Sequence, residues 1–181
     1  GATVSAVEIA AAHPFAAKGT AEGIRGYRLI SIVRADSPFK GLDDLVGQRI
    51  AHTTDQSNSG NHAPRHFFPE QGLEADIDYK PIMSGGHSQS ILGVLNGDYD
   101  MAAVASDVFE RMAERGSVNR HDFRVIYESP FFPTSSFVLA HDLDDALSER
   151  LQTCFFNFKF PTDMSMEFQG DNQFLPVNYK L

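Results

Sequence analysis

Short apolar runs bounded by glycine, proline and small polar residues alternate along this chain with segments whose apolar residues recur three and four apart. That is the pattern of strands followed by helices. Residues 27–33 (YRLISIV) read as a buried strand closed by the proline-punctuated turn Arg34-Ala-Asp-Ser-Pro38. A short helix is predicted over 42–46, a strand over 49–53, and a helix starting near Gly60 that tolerates Pro64 in its first turn and stops at Pro69 and Gly72. The Phe67-Phe68 pair is expected to pack into the sheet. Further on, the pattern predicts a strand over 79–83, a helix over 88–95 with Ile91, Leu92 and Leu95 as its apolar stripe, and a stop at Asn96-Gly97. A strand over 99–103, a helix over 107–114 and a strand over 123–127 follow, and residues 4–12 read as a helix of small residues. Alternation of this kind implies an α/β fold with a mostly parallel sheet.

Two strand-to-helix junctions carry candidate chemistry. The first is DQSNSGNHAP (55–64), which sets the hydroxyls of Ser57 and Ser59, the amide of Asn58 and the flexible Gly60 at a predicted helix start. The second is SGGHSQS (84–90), with Ser84, Gly85, Gly86 and His87. A helix start offers unpaired backbone N–H groups and the positive end of a dipole, so small polar residues there surround an oxyanion with donors. In open α/β sheets ligands collect at the carboxyl ends of strands, and both junctions lie at such ends. Each also reads as an ordinary turn, and a lone histidine as a structural hydrogen-bonding residue. Asp107 follows the next predicted strand at the same edge. It can accept a charge-assisted hydrogen bond from a protonated oxyanion or a ligand ammonium, or it can cap the following helix, as can Ser106.

Composition narrows the function classes. The 181 residues carry a net charge of −9, which argues against nucleic acid as a partner, since no basic stripe replaces phosphate counterions. A neutral-donor site still recognises an oxyanion locally. The single cysteine, Cys154, excludes an internal disulfide, and its apolar setting LQTCFFNF predicts a buried, inert thiol. His62 and His66, spaced i, i+4, lack a third ligand, so they read as a solvated helix face and no metal or other cofactor is expected. His52, His121 and His141 are scattered. No apolar run is long enough to span a membrane, and no secretory leader is visible in this chain. Ser57 or Ser59 with His87 and Asp107 has the composition of a nucleophile, base and orienter. Neither serine sits in a GxSxG elbow, however, and no P-loop lysine accompanies the glycines, so no enzyme is expected.

From residue 27 to residue 179 the chain resembles the solute-binding proteins of phosphonate, phosphite and phosphate ABC transporters, a family of the type II periplasmic binding fold. GYRLISIVRADSPFKGLDDLVGQRIAHT is similar to the family's hinge strand, Asp-Ser-Pro turn and Leu-x-x-Leu-x-Gly helix. QSNSG stands where the family carries its Ser/Thr-rich anion loop. SGGHSQSILGVLNGDYDMAAVASDVFERM resembles its Gly-His loop, helix and next strand, and VIYESPFFPTSSFVLA its returning hinge strand.

The resemblance implies two αβα lobes joined by hinge strands: residues 1–33 as partial lobe one, 34–133 as lobe two with the anion loops, and 134–181 as the return to lobe one. Family members are longer, so the first lobe is expected to be incomplete in this chain. Ser57, Asn58, Ser59, Gly60, His87, Asp107 and Ser135 are the implied ligand-binding residues. Relatives that bind aminoalkyl phosphonates place a carboxylate where this chain has Ser135, so a ligand without an amine is expected: phosphite, methylphosphonate or phosphate. The implied role is capture outside the cytoplasm, in the periplasm or on a lipid anchor, with delivery to an ABC permease after closure of the hinge. The alternatives are an oxyanion-sensing module feeding a histidine kinase and a type II-fold enzyme of small-metabolite synthesis.

Overall fold

The computed structural model describes residues 2–177; residues 1 and 178–181, the outermost positions of the expected lobe one, lie outside the described part. The chain opens with helix α1 (Ala2–Ala10) and strand β1 (His13–Thr20), continues through the short strands β2 (Gly23–Ile24) and β3 (Gly26–Tyr27), and then forms β4 (Leu29–Arg34) and β5 (Ile50–His52). Next come α2 (Ala63–Phe67), β6 (Ile82–Met83), α3 (His87–Asn96), β7 (Met101–Ala105), α4 (Ser106–Glu114) and β8 (Phe123–Glu128). It closes with β9 (Phe132–Pro133), β10 (Ser136–Leu139), α5 (Asp145–Asn157), α6 (Thr162–Glu167) and β11 (Gln173–Pro176). The described residues divide into two compact units, one reaching up to Gly26 and resuming at Pro133, the other spanning Tyr27–Phe132. The expected boundary after residue 33 is therefore drawn earlier, because β4 is hydrogen-bonded on both sides to strands of the second unit.

The second unit is built on a five-stranded sheet of order β6-β5-β7-β4-β8. β5 runs parallel to β6 and β7, whereas β4 is antiparallel to both β7 and β8. The expected parallel sheet thus holds one reversed strand, β4, which the alternation of strands and helices does not reveal. Residues of β4 alternate between two cores: Leu29 and Val33 pack with Leu45, Ile50, Phe68, Leu73 and Met101, and Ile30 and Ile32 with Ile91, Val94, Val104 and Phe109. A strand covered on both faces reads as an unbroken apolar run, as LISIV does. Phe68 is fully buried, edge-on to Tyr127, and Phe67 packs partly buried beside it.

For two of the predicted strands the shift in bounds has an identifiable reason. Only Ile82 and Met83 pair within the predicted strand 79–83; Tyr79 bridges Ala75 in a tight turn and buries its ring. The predicted strand 99–103 begins at Met101, because Asp100 takes the backbone and side-chain N–H groups of Arg49 and the ring of Tyr99 lies against Gly93.

The first unit is an antiparallel sheet of order β10-β1-β11 with β2 also paired to β1. Phe15, Phe137, Phe155 and Phe174 stack edge-on and tilted where α5 meets this sheet. The helix turns Phe155 and Phe156 toward Phe15 and leaves Cys154 exposed. The expectation of a buried thiol fails here, because the apolar neighbours in sequence point to another face of the helix.

Candidate functional site

The parallel strands β5, β6 and β7 end at one edge of the sheet, and the segment that follows each carries predicted site residues. After β5 the backbone turns through residues 53–57, with Ser57 as the cap of a π-type turn, Asn58–His62, that runs into α2. The Ser57 hydroxyl accepts the N–H of Gly60 at 3.1 Å, and its carbonyl accepts those of Asn61 and His62. Its own O–H stays able to donate outward. Ser59 and Gly60 are buried, and Ser57 and Asn58 are half-buried. Gly60 is fixed by sterics, since a Cβ there would overlap the Thr53 side chain.

Thr53 ties the first loop to the second. Its N–H donates to the Gly60 carbonyl at 3.0 Å, and its own carbonyl accepts the N–H of Gly85 at 2.9 Å. The neighbouring His52 carbonyl accepts the N–H of Ser84 at 2.9 Å. Gly85 has φ of +94°, a left-handed conformation that favours glycine. The hydroxyls of Ser84 and Ser90 meet at 2.6 Å and secure this loop to the first turn of α3.

His87 opens α3, and its two ring nitrogens face different partners. Nδ1 accepts the backbone N–H of Ala105 at 3.1 Å, and Nε2 lies 3.5 Å from Ser57 Oγ. A nitrogen that accepts an N–H carries no hydrogen, so the neutral ring holds its proton on Nε2 and presents it toward Ser57. Burial keeps the imidazole below its ordinary pKa, opposed by the Asp107 carboxylate, while Arg111 pushes further down. A histidine in this tautomer donates and cannot take a proton from Ser57, so the pair is no nucleophile and general base.

Asp107 lies in the first turn of α4, half-exposed, and Arg111 one turn on donates to its Oδ2 at 3.1 Å. The N-cap position is Ala105, without a side-chain cap. Ser106 Oγ instead accepts the N–H of Arg28 at the start of β4. Ser135 is exposed, between β9 and β10, and belongs to the other unit. The structure therefore gathers Ser57, Asn58, Ser59, Gly60 and His87 at one edge, with Asp107 within electrostatic reach of the imidazole. Among the described residues no three His, Cys, Asp or Glu side chains are placed to hold a metal ion. His62 and His66 are exposed.

Two contributors escape sequence reasoning. Tyr27 accepts the amide N–H of Asn58 on its hydroxyl at 3.3 Å, which leaves the phenolic O–H to donate at the rim of the loop. Its ring lies 5.7 Å from that of Phe132, and Phe132 is 6.1 Å from Phe67. His52, passed over as scattered, is fully buried beneath the first loop with Asn61 and Tyr79 on its two nitrogens. A polar residue closing the apolar strand Ile50-Ala51-His52 is the only signal for it in the sequence.

A family model for the periplasmic substrate-binding protein of phosphonate ABC transporters matches residues 1–176. The chain is 26% identical over 160 residues to the phosphonates-binding periplasmic protein of Escherichia coli, a match covering 86% of this chain and 47% of that protein. It is 31% identical over 143 residues to the phosphate-import protein of Mycolicibacterium smegmatis, covering 74% and 44%. The chain thus spans about half the length of these relatives. In fold it is similar to a crystal structure of a binding protein component of an ABC phosphonate transporter from Pseudomonas aeruginosa, with a TM-score of 0.83 and 22% identity over 97% of this chain and 61% of that one.

Proposed function

The chain belongs to the family of periplasmic substrate-binding proteins of phosphonate ABC transporters and has their type II periplasmic binding fold, and on that premise we propose that it captures a small tetrahedral phosphorus oxyanion and delivers it to a membrane permease. The observation that carries this reading is the convergence of donors from two chain segments: the Ser57 hydroxyl and the His87 Nε2–H, 3.5 Å apart at the carboxyl edge of the sheet. Neutral donors suit an oxyanion in a protein whose net charge is −9, because they stabilise the bound charge locally without drawing on the surface field. Asn58, Ser59 and Gly60 complete the loop around the phosphorus oxygens, and the Tyr27 hydroxyl adds a donor at its rim.

The ligands are phosphite, methylphosphonate or phosphate. Asp107 accepts the proton that such an oxyanion retains, and Ser135 supplies no counter-ion for an amine. No covalent step is involved, consistent with a His87 that donates and does not act as a base. Calorimetric titration of the intact protein with phosphite, methylphosphonate, phosphate, sulfate and 2-aminoethylphosphonate tests the reading. Binding of at least one of the first three, tighter than either of the last two, is the expected result; heat from none of the three would end it.

A further inference from the structure

Beneath the first loop lies a buried chain of hydrogen bonds whose direction is fixed at both ends. Asn61 Oδ1 faces Arg65 Nε at 3.2 Å, and Asn61 Nδ2 faces the carbonyl of Asp55 at 3.0 Å. A guanidinium N–H only donates and a carbonyl only accepts, so the Asn61 amide has one orientation. His52 Nδ1 lies 2.9 Å from that same Oδ1 and must therefore carry the ring hydrogen. Its Nε2, left with a lone pair, accepts from the Tyr79 hydroxyl at 2.9 Å. The proton order runs from Tyr79 through His52 and Asn61 to the Asp55 carbonyl. His52 is 0% exposed, Tyr79 4% and Asn61 6%, so water does not compete for the two His52 bonds, while the Asn61 bonds to Arg65 and Asp55 are part-buried. Arg65 is paired in turn with Asp76, the charged pair that faces this network.

The last bond of the chain closes residues 55–61 into a ring that contains Ser57, Asn58, Ser59 and Gly60. Its staple, Asn61, is oriented by the His52 ring and the Arg65 guanidinium. We propose that His52 and Asn61 are positioning residues: the Nδ1–H tautomer of His52 sets the Asn61 amide, and that amide holds the oxyanion loop in its binding shape before ligand arrives. The inference rests on the proposed oxyanion function of that loop and adds how its geometry is maintained. His52 and His87 then hold opposite neutral tautomers, one with its proton on Nδ1 for the scaffold and the other with its proton on Nε2 for the ligand.

Three measurements on the intact protein test this. Long-range proton–nitrogen correlation spectra are expected to place the ring hydrogen of His52 on Nδ1 and that of His87 on Nε2. His52→Phe, which keeps bulk and removes both polar bonds, is expected to weaken methylphosphonate binding at least about tenfold, whereas His52→Gln, which keeps a donor and an acceptor, recovers most of it. In unliganded protein, amide exchange of residues 57–61 is expected to quicken in His52→Phe and stay slow in His52→Gln. Asn61→Asp, which sets a carboxylate against the Asp55 carbonyl, is expected to open the same loop and serves where the Phe variant does not fold. A His52 hydrogen on Nε2, or wild-type affinity and exchange in the Phe or Asp variant, would overturn the proposal. If the wild type binds none of the phosphorus oxyanions, the functional reading fails, while the tautomer and the exchange rates still decide this one.

Discussion

Ser57, which caps the turn of the first loop, and His87, which opens α3, meet with the serine hydroxyl oxygen 3.5 Å from the imidazole Nε2, the nitrogen that carries the ring hydrogen. On the proposed reading, a ligand oxygen beside the pair receives a hydrogen bond from each. Ser57→Ala is expected to lose roughly 1–3 kcal/mol of phosphorus-oxyanion affinity by titration calorimetry. It also strips the Gly60 N–H of its acceptor, so a drop in stability of about 0.5–2 kcal/mol accompanies it. Ser57→Thr retains the oxygen and should restore both. His87→Ala is expected to weaken binding more than His121→Ala does, since His121 is exposed. Unchanged affinity in Ser57→Ala would remove the loop from the site.

Stability is expected to fall as the medium turns mildly acidic. Burial holds the imidazoles of His52 and His87 below their ordinary pKa. As pH drops through about 6.5 the unfolded chain takes up those protons first, so the unfolding free energy is full above that value and declines below it. The carboxylates of Asp44 and Asp76, held down by the backbone N–H groups of Lys40 and Gly41 and by Arg65 respectively, lose their contribution only at lower pH. Denaturation midpoints measured between about pH 7.5 and pH 5.5 should decline in the wild type and decline less in His52→Gln, which leaves the His87 contribution in place. A midpoint that rises toward acid would contradict the burial of these neutral rings.

Sulfate should bind more weakly than phosphate near neutral pH. It carries no proton for the Asp107 carboxylate to accept, so that group meets the dianion as bare repulsion. Asp107→Asn is expected to narrow the difference, because an amide donates to either ion. Equal phosphate and sulfate affinities in the wild type would leave Asp107 without a role in the site.

An aminoalkyl ligand should be disfavoured. On the proposed reading, in which position 135 carries serine in place of a carboxylate, the ammonium of an aminoalkyl ligand loses water without a dedicated counter-ion. 2-Aminoethylphosphonate is expected to bind at least about tenfold more weakly than methylphosphonate, a gap of roughly 1.4 kcal/mol, and Ser135→Asp to narrow it. A competition titration in which the wild type prefers the aminoalkyl ligand would show that this position has been misread.

Both loops were legible because their composition is local: serines, an asparagine and glycines between apolar runs announce a turn wherever they fall, and parallel strands bring such turns to one edge. The family resemblance ordered the same residues into one site. What the sequence withheld are contacts made across the fold. Nothing near His87 says that the backbone of Ala105 will claim its Nδ1 and so fix its tautomer. Nothing near Tyr27 announces Asn58. Tyr79 looked like a strand residue because its ring is apolar, yet the ring is buried to deliver a hydroxyl to His52. Cys154 looked buried because its neighbours are phenylalanines, and helical geometry turned them away from it. The reversal of β4 is a matter of chain direction, which hydrophobic periodicity does not encode.

The two bonds of the Thr53 backbone have a kinetic meaning. Gly60 and Gly85 both bond to one residue, Thr53, just past the end of β5, so the two loops are tied to each other and are not two independent arms. Little ordering is left for an arriving anion to impose on them. Association should therefore be nearly equal for phosphite, phosphate and methylphosphonate, set by diffusion to a ready surface, and the ligands should separate in how long each stays.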